Sequence, residues 1–396
     1  MSENKIDVEQ KSAEIRDLYQ ELADSREENP LAKESEGLTE DEARFAASQW
    51  TMIWRRFRRN RAAMAGGFIV ILYYLVALFA NFIAPYSLST RFTQQIYLPP
   101  QRIHIFDGNS FHPYVYVVET QFDENLRRIH EATDEKIYLR FFAKGESYKL
   151  LGLIETDIHL FQAPGGLVSI LGTDRQGRDM FSRIVLGSQL SLTIGLIGVS
   201  ISLLIGTTLG VASGYYGGFI DEAIQRLIEL VRAFPSIPLW MALSAAIPSS
   251  WSQIQTYFAI TVILSLIGWT WLARQLRGLV LALRESDYVI AAKLAGASDA
   301  RIIFRHLIPA TFGQIIVVTT LSLPAMILAE TALSFLGLGL RPPTTSWGVL
   351  LKEAQNLESL ALYPWVFSPA IVIVVVILAF SFLGDGLRDA ADPYTI

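Results

Sequence analysis

An all-α polytopic membrane protein with six transmembrane helices, and a small β-rich extracytoplasmic insertion between spans 1 and 2, is the fold this sequence predicts. Three observations carry it. Of the 396 residues 51% are hydrophobic and only 18% charged, with mean hydropathy +0.34, too apolar for one soluble globule. Six segments, about 64–86, 188–212, 229–247, 256–275, 308–335 and 364–384, supply the ~20 mostly apolar residues that cross ~30 Å of hydrocarbon. Between residues 95 and 162 the hydrophobicity instead alternates over short runs, the mark of half-buried strands.

The spans are helices, because barrel strands are roughly half as long and alternate in polarity. The chain has no cysteine, which excludes a disulfide, a thiolate nucleophile and a cysteine-based metal site. Its first 49 residues are acidic and the first apolar span begins near Met64, unlike a cleavable signal peptide, whose basic and apolar regions come at once. The divisions that follow are an acidic cytoplasmic tail (1–49), an interfacial helix and first span (50–86), an extracytoplasmic domain (87–187) and a transmembrane core (188–393) with a cytoplasmic hairpin at 276–307.

Within the tail, Ile15, Leu18, Tyr19 and Leu22 recur at helical spacing, and Thr39 with Glu42 forms a capping-box pattern that opens a helix. A solvated acidic tail and a docking element both fit this composition. Next, Trp50, Ile53, Trp54 and Phe57 fall on one face with arginines on the other, as in a helix lying in the membrane interface. The block Trp54-Arg55-Arg56-Phe57-Arg58-Arg59-Asn60-Arg61 holds its side of the first span in the cytoplasm. Six crossings then put both termini and the 276–307 segment, with Arg277, Arg284, Lys293, Arg301 and Arg305, inside.

The insertion's strands are expected around Val115-Tyr116-Val117-Val118, Ile137-Tyr138-Leu139-Arg140-Phe141 and Tyr148-Lys149-Leu150-Leu151. Four of the five histidines, His104, His112, His130 and His159, lie there, at spacings that match no metal motif. Gly172-Thr173-Asp174-Arg175-Gln176-Gly177-Arg178-Asp179 has phosphate-loop glycine spacing but places Arg178 and Asp179 where a working loop needs Lys and Ser or Thr; it reads as a structural turn into the second span. No HExxH, GxSxG or Ser-His-Asp set is present, so the chain is expected to catalyse nothing itself. Glu330, in the otherwise apolar fifth span, has two readings, a structural hydrogen bond or a residue of the translocation pathway. Pro324 in the same span bends the helix by removing a backbone hydrogen bond.

Residues 287–310, DYVIAAKLAGASDARIIFRHLIPA, form a polar, alanine-rich hairpin between two spans. Ala291, Ala292 and Ala295 allow close approach of another protein surface. Gly296 takes the left-handed conformation that ends the first helix, Ser298 caps the second and Asp299 favours its positive end. Pro309 is expected to open the next span. Such a hairpin transmits force to both spans at once.

Ala291-Ala292, Gly296 and Ile308-Pro309 resemble the EAA loop of the membrane subunits of binding-protein-dependent ABC importers, with Ile290 in place of glutamate, His306 of isoleucine and Ile308 of leucine. Further resemblance lies in Leu171–Asp179, Gly214-Tyr215-Tyr216-Gly217-Gly218, Ala233-Phe234-Pro235-Ser236, Ser334–Gly339 with Pro342-Pro343, and Leu383-Gly384-Asp385-Gly386-Leu387-Arg388-Asp389. In that order they are similar to the DppC/OppC-type permeases of dipeptide and oligopeptide importers, over roughly 54–86 and 171–393.

The resemblance implies the type I ABC importer fold in a bacterial inner membrane. It implies a heterodimer with a DppB/OppB-like permease, two cytoplasmic ABC ATPases that hydrolyse ATP, an extracytoplasmic solute-binding protein and surrounding membrane lipid. No nucleic acid, cofactor or metal is expected. ATPase coupling falls on Ala291, Ala292, Lys293, Leu294, Gly296, Ala297, Ser298 and Asp299, and Glu330 and Pro324 are the pathway candidates. The cargo is expected to be peptides, the same machinery also serving opines, oligosaccharides or nickel. A secondary transporter would need coupling carboxylates or broken helices at mid-membrane, and a membrane-anchored enzyme a catalytic constellation in the insertion.

Overall fold

The computed structural model describes residues 49–391 except 123, 125–127 and 249. The helical pattern of Ile15, Leu18, Tyr19 and Leu22 and the capping pattern of Thr39 and Glu42 lie outside the described residues. Helix α1 (Gln49–Arg59) occupies the stretch read as interfacial. The first span follows as α2 (Arg61–Leu78), started by the Asn60 side chain, which accepts from the Ala63 amide at 3.1 Å, and is prolonged by α3 (Ala80–Ile83).

The insertion then forms strands β1 (His104–Asp107), β2 (Ser110–Phe122) and β3 (Arg128–Tyr138), an antiparallel sheet, and a separate antiparallel hairpin of β4 (Arg140–Leu150) and β5 (Ile154–Gln162). The run expected as one strand at 137–141 is divided, because Leu139 sits at the corner between β3 and β4. Its side chain turns into a core with Val115, Ile137, Phe161 and Val168, so burial of Leu139 fixes the change of sheet. The hairpin is tied to the end of the first span: His159 bonds the Ala84 carbonyl at 2.7 Å through Nδ1, and the Gln162 amide donates to the Pro85 carbonyl.

The second span is α4 (Met180–Tyr216), whose 37 residues extend about 55 Å at 1.5 Å per residue, well past the hydrocarbon. Asp179 caps it, accepting from the Ser182 amide at 2.7 Å. The third span departs from expectation. In place of one helix over 229–247 there are α5 (Gly218–Arg232) and α6 (Ser236–Ala245), bent by 82° at the break. Pro235 is the reason: it has no amide hydrogen to donate, and its ring pushes Phe234 out of helical backbone.

The fourth span, α7 (Gln253–Leu283), opens on a Ser252–Gln255 capping box. It packs along α4 where Gly206, Gly210 and Gly214 face its backbone; a Cβ on Gly210 would stand 2.7 Å from the Ala273 carbonyl oxygen. That GxxxGxxxG series lets two helices touch backbone to backbone, the form of contact that lipid, unlike water, rewards. Because α7 runs on to Leu283, the hairpin proper is α8 (Asp287–Leu294) and α9 (Asp299–Ile302).

Pro309 stands in the first turn of the fifth span, α10 (Ile308–Phe335), as expected; what precedes it is helix that continues from α9 through a π turn at Ile303–Leu307. The wider turn gives room for a proline that lacks an amide hydrogen and crowds the preceding carbonyls. After α10 come α11 (Trp347–Glu353), α12 (Leu357–Leu362), a 3-10 turn at Pro364–Phe367 and the sixth span α13 (Ser368–Ala391). Helix α13 returns antiparallel to α2, with Gly66 against the Ala379 carbonyl and Gly386 against Ala63. Among the described residues five helices are long and apolar enough to cross a membrane, and six if the bent pair is one span.

Candidate functional site

The hairpin is a rigid wedge on two spans. Helix α8 ends in a Schellman motif: Gly296, at φ +78°, donates its amide to the Lys293 carbonyl, and the Ala297 amide reaches the Ala292 carbonyl at 3.0 Å. Both bonds need the left-handed residue between the helices, which glycine adopts without steric cost. Ser298 then caps α9 from its side chain, 3.4 Å from the Arg301 amide. Ala292 and Ala297 turn inward onto Val211, Tyr215, Val289 and Ile302, so the small-residue face is divided. Ala291 and Ala295 stay exposed, and Leu294 is 85% exposed.

What seats the wedge is the end of α4. The Tyr215 hydroxyl donates to Asp299 at 2.7 Å, and the Lys293 ammonium stands 5.2 Å from the centre of the Tyr215 ring. Nearby, Asp221 at the start of α5 accepts two bonds from the Arg277 guanidinium, at 2.5 and 2.6 Å, and one from Ser213. Thus α4, α5, α7 and the hairpin meet in one polar joint. Tyr215 was legible in the sequence as part of a glycine-tyrosine motif; its partner was not.

Deeper in the bundle the bend between α5 and α6 leaves a cavity of about 590 Å³. Trp240, Trp271, Gly268, Ser322, Ala325 and Met326 are on its wall, and the Arg232 guanidinium lies 5.7 Å from the Trp271 ring centre. The Trp240 indole N–H has no hydrogen-bond partner among the described residues. Along the adjoining side of α4, Thr193, Leu196, Ser200, Leu204 and Thr208 are exposed at helical spacing. The three hydroxyls bond the carbonyls four residues back, which keeps the helix intact while leaving oxygen atoms on the surface.

Glu330 and Pro324 do not lie on this cavity's wall; their neighbours Ala325, Met326 and Ala329 do. Pro324 is buried. Glu330 is 0% exposed and accepts from Ser334 and Ser346 at 2.7 Å each and from Ser191 at 3.4 Å. Each of these hydroxyls accepts a backbone amide in turn: Leu340 on Ser334, Val349 on Ser346 and Trp347 on Ser191. One carboxylate therefore joins α10, α4 and α11. Ser334 lies one helical turn from Glu330, a pairing open to local reasoning, whereas Ser191 and Ser346 carry no pattern by which they could have been paired with it.

At the insertion end of α4, the glycine-rich turn is folded around its own aspartate. Asp174 accepts the Gln176 and Arg178 amides on one oxygen and Arg178 and Arg183 on the other, at 2.5 to 3.0 Å. The loop amides are thereby committed inward, unlike those of a phosphate cradle. Gly177 has φ +69°, and a Cβ there would meet the Phe92 carbonyl, so only glycine closes the turn. Glu353, from α11, completes the cluster with bonds of 2.6 to 3.1 Å to both arginines. Burial alone would raise its carboxyl, but the Arg183 and Arg178 guanidiniums outweigh that and hold it below the ordinary glutamate range.

Two family descriptions match the chain. "Binding-protein-dependent transport system inner membrane component" covers residues 206–395, and "N-terminal TM domain of oligopeptide transport permease C" covers 48–100. The dipeptide transport system permease protein DppC of Lactococcus lactis is 33% identical over 364 residues, 90% of this chain and 93% of the relative. The glutathione transport system permease protein GsiD of Pectobacterium atrosepticum is 32% identical over 87% and 91% of the two chains. The oligopeptide transport system permease protein OppC of Bacillus subtilis is 31% identical over 90% and 93%. The break at Pro235 and the Gly296 hairpin fall inside the first family match. The chain belongs to the family of binding-protein-dependent transport inner-membrane components and is a permease subunit with the type I importer fold.

Proposed function

We propose that the chain is one of two paired permeases in an ATP-driven importer of peptides, with the hairpin end in the cytoplasm of a bacterium and the β-rich insertion outside. The observation that carries this reading is Leu294, an apolar side chain left 85% exposed at the tip of a hairpin whose own bonds make it rigid. A rigid tip with an uncovered leucine suits seating in a groove of a cytoplasmic ATPase, and Ala291, Ala292, Lys293, Gly296, Ala297, Ser298 and Asp299 shape or support it. The arginines of Trp54–Arg61 favour cytoplasmic termini. Peptide cargo follows from the relatives, whose names carry dipeptide, oligopeptide and glutathione transport.

In this reading the homologous DppB/OppB-like permease lies against the hydroxyl-bearing side of α4, and the solute-binding protein docks at the insertion end. Cargo passes beside the cavity at the α5–α6 bend, where the free Trp240 N–H suits a peptide carbonyl. Glu330 acts as an internal anchor of the spans that move, and Pro324 as the bend that lets them. Two ATPases supply the hydrolysis, and this chain only transmits it. Reconstituting the complex with and without the ATPases tests the proposal. Uptake should require them and ATP; uptake that persists on a proton gradient alone overturns it in favour of a secondary transporter.

A further inference from the structure

The cavity at the α5–α6 bend carries a cation and no anion. Its wall is drawn from the middle turns of three spans, with Val199 and Ser202 on α4, Gly268 on α7 and Leu321 on α10. One turn from Gly268 toward the hairpin end stands Trp271, whose ring lies 5.7 Å from the Arg232 guanidinium. A ring face steadies a cation without neutralising its charge. No acidic side chain is on the wall. The acid one turn back on α5, Glu229, accepts from Arg226 at 3.0 Å, and among the described residues no carboxylate forms an ion pair with Arg232. An arginine at the depth of the spans is expensive unless it meets an anion or a polar cavity.

The donors left unspent on this wall point the same way. The hydroxyls of Ser202, Thr270 and Ser322 donate to the carbonyls of Ser265, Ile267 and Val318. That leaves Arg232, the indole N–H of Trp240, unpartnered among the described residues, and the start of α6 at Ser236, where no side chain caps the first turn. Ser236 and Trp240 are one turn apart, so the open helix start and the indole border one space, and an uncapped helix start attracts negative charge. Phe234, Leu264 and Met326 make much of the remaining wall apolar. The ligand that matches is a carboxylate on an apolar body.

We propose that the cavity is a subsite for the terminal carboxylate of the cargo: the Arg232 guanidinium pairs with it, the Trp240 N–H meets the last peptide carbonyl, and the apolar wall takes the adjoining side chain. This rests on the reading of the cavity as part of the cargo route, and it narrows the cargo to molecules that end in a free carboxylate. Peptides with a blocked C terminus are then poorer ligands of the permease itself, whatever the solute-binding protein selects.

The permease pair with its ATPases, in phosphatidylcholine nanodiscs without the solute-binding protein, would be dialysed to equilibrium against radiolabelled trileucine and its C-terminal amide. The two probes differ at the C terminus by one negative charge. The unaltered complex should bind the acid about tenfold more tightly than the amide. Arg232→Gln should erase that preference by weakening the acid alone, and Arg232→Lys should keep part of it. Trp240→Phe, which removes the N–H and keeps an aromatic ring, should weaken both probes alike. Equal binding of acid and amide by the unaltered complex overturns the subsite, whether or not the variants assemble. So does binding of neither probe, and so does a preference that survives Arg232→Gln. If there is no preference and Arg232→Gln instead splits the permease pair, the arginine serves a carboxylate of the partner permease, which also overturns it. Uptake measured in parallel separates the two readings. ATP-dependent uptake with no acid preference at the cavity sinks the subsite alone, whereas an acid preference in a complex driven by a proton gradient sinks the importer reading alone.

Discussion

The Tyr215 hydroxyl and the Asp299 carboxylate are 2.7 Å apart, and they join the last turn of the second span to the second helix of the hairpin. Eighty-four positions separate them in the chain. The bond makes the hairpin a lever on α4 as well as on the two spans that flank it. A pull on α9 reaches the long helix that carries the glycine contacts to α7 and the serine contact to Glu330.

Tyr215→Phe removes this one neutral-to-charged bond at a cost of about 1.5–3 kcal/mol and leaves the ring against Lys293. The protein should insert at normal abundance. Less cargo should move per ATP hydrolysed, as read by parallel uptake and phosphate-release assays. An unchanged ratio sinks the lever.

Gly296→Asp places a side chain on a backbone at φ +78°, with open space around the position, so the strain is conformational at about 1 kcal/mol. The hairpin's angle, not its existence, should suffer. Ala291→Trp, on the exposed side, leaves the fold alone and blocks seating. Both variants should retain insertion yet lose most ATP-driven uptake, measured in membrane vesicles, and normal uptake by both at normal abundance would refute the coupling role.

Glu353→Ala leaves Arg178 and Arg183 to share the single Asp174 carboxylate, so one buried positive charge goes unmatched, a loss of about 3–5 kcal/mol. The intact pair also sets a pH dependence. A carboxyl held below its unfolded value contributes stability that is complete above about pH 4.3 and is lost as pH falls through the folded value. Thermal denaturation in detergent should therefore show a melting temperature that drops on acidification below about pH 4.3. In Glu353→Gln that part of the drop should be smaller, and identical acid profiles would count against the cluster as its source.

Glu330→Ala leaves three buried hydroxyls without their acceptor, costing about 3 kcal/mol. If the residue is an anchor, the melting temperature falls while the cargo preference of the surviving protein is unchanged. A variant with normal stability and altered preference would instead assign Glu330 to the pathway.

Replacing residues 95–162 with a short linker should raise the binding-protein concentration needed for half-maximal ATPase stimulation while basal hydrolysis survives. Titration of the reconstituted complex measures this. Unchanged stimulation means the insertion does not orient the docked protein.

Residue order alone determined the parts whose causes are local. Apolar length marked the spans, alternation marked the strands, and Gly296 followed by Ser298 marked the turn between two short helices, because a left-handed residue and a cap act within four positions of themselves. Local reasoning went astray where chain continuity met proline chemistry: Pro235 broke the third span, while ahead of Pro309 the helix carried on through a π turn. Tertiary structure alone decided the partners. Ser191 and Ser346 converge on Glu330, Arg178 and Arg183 share Glu353, and Tyr215 finds Asp299, through contacts across up to 175 positions. A buried charge constrains only what must surround it, and which residues do so is settled when the helices close.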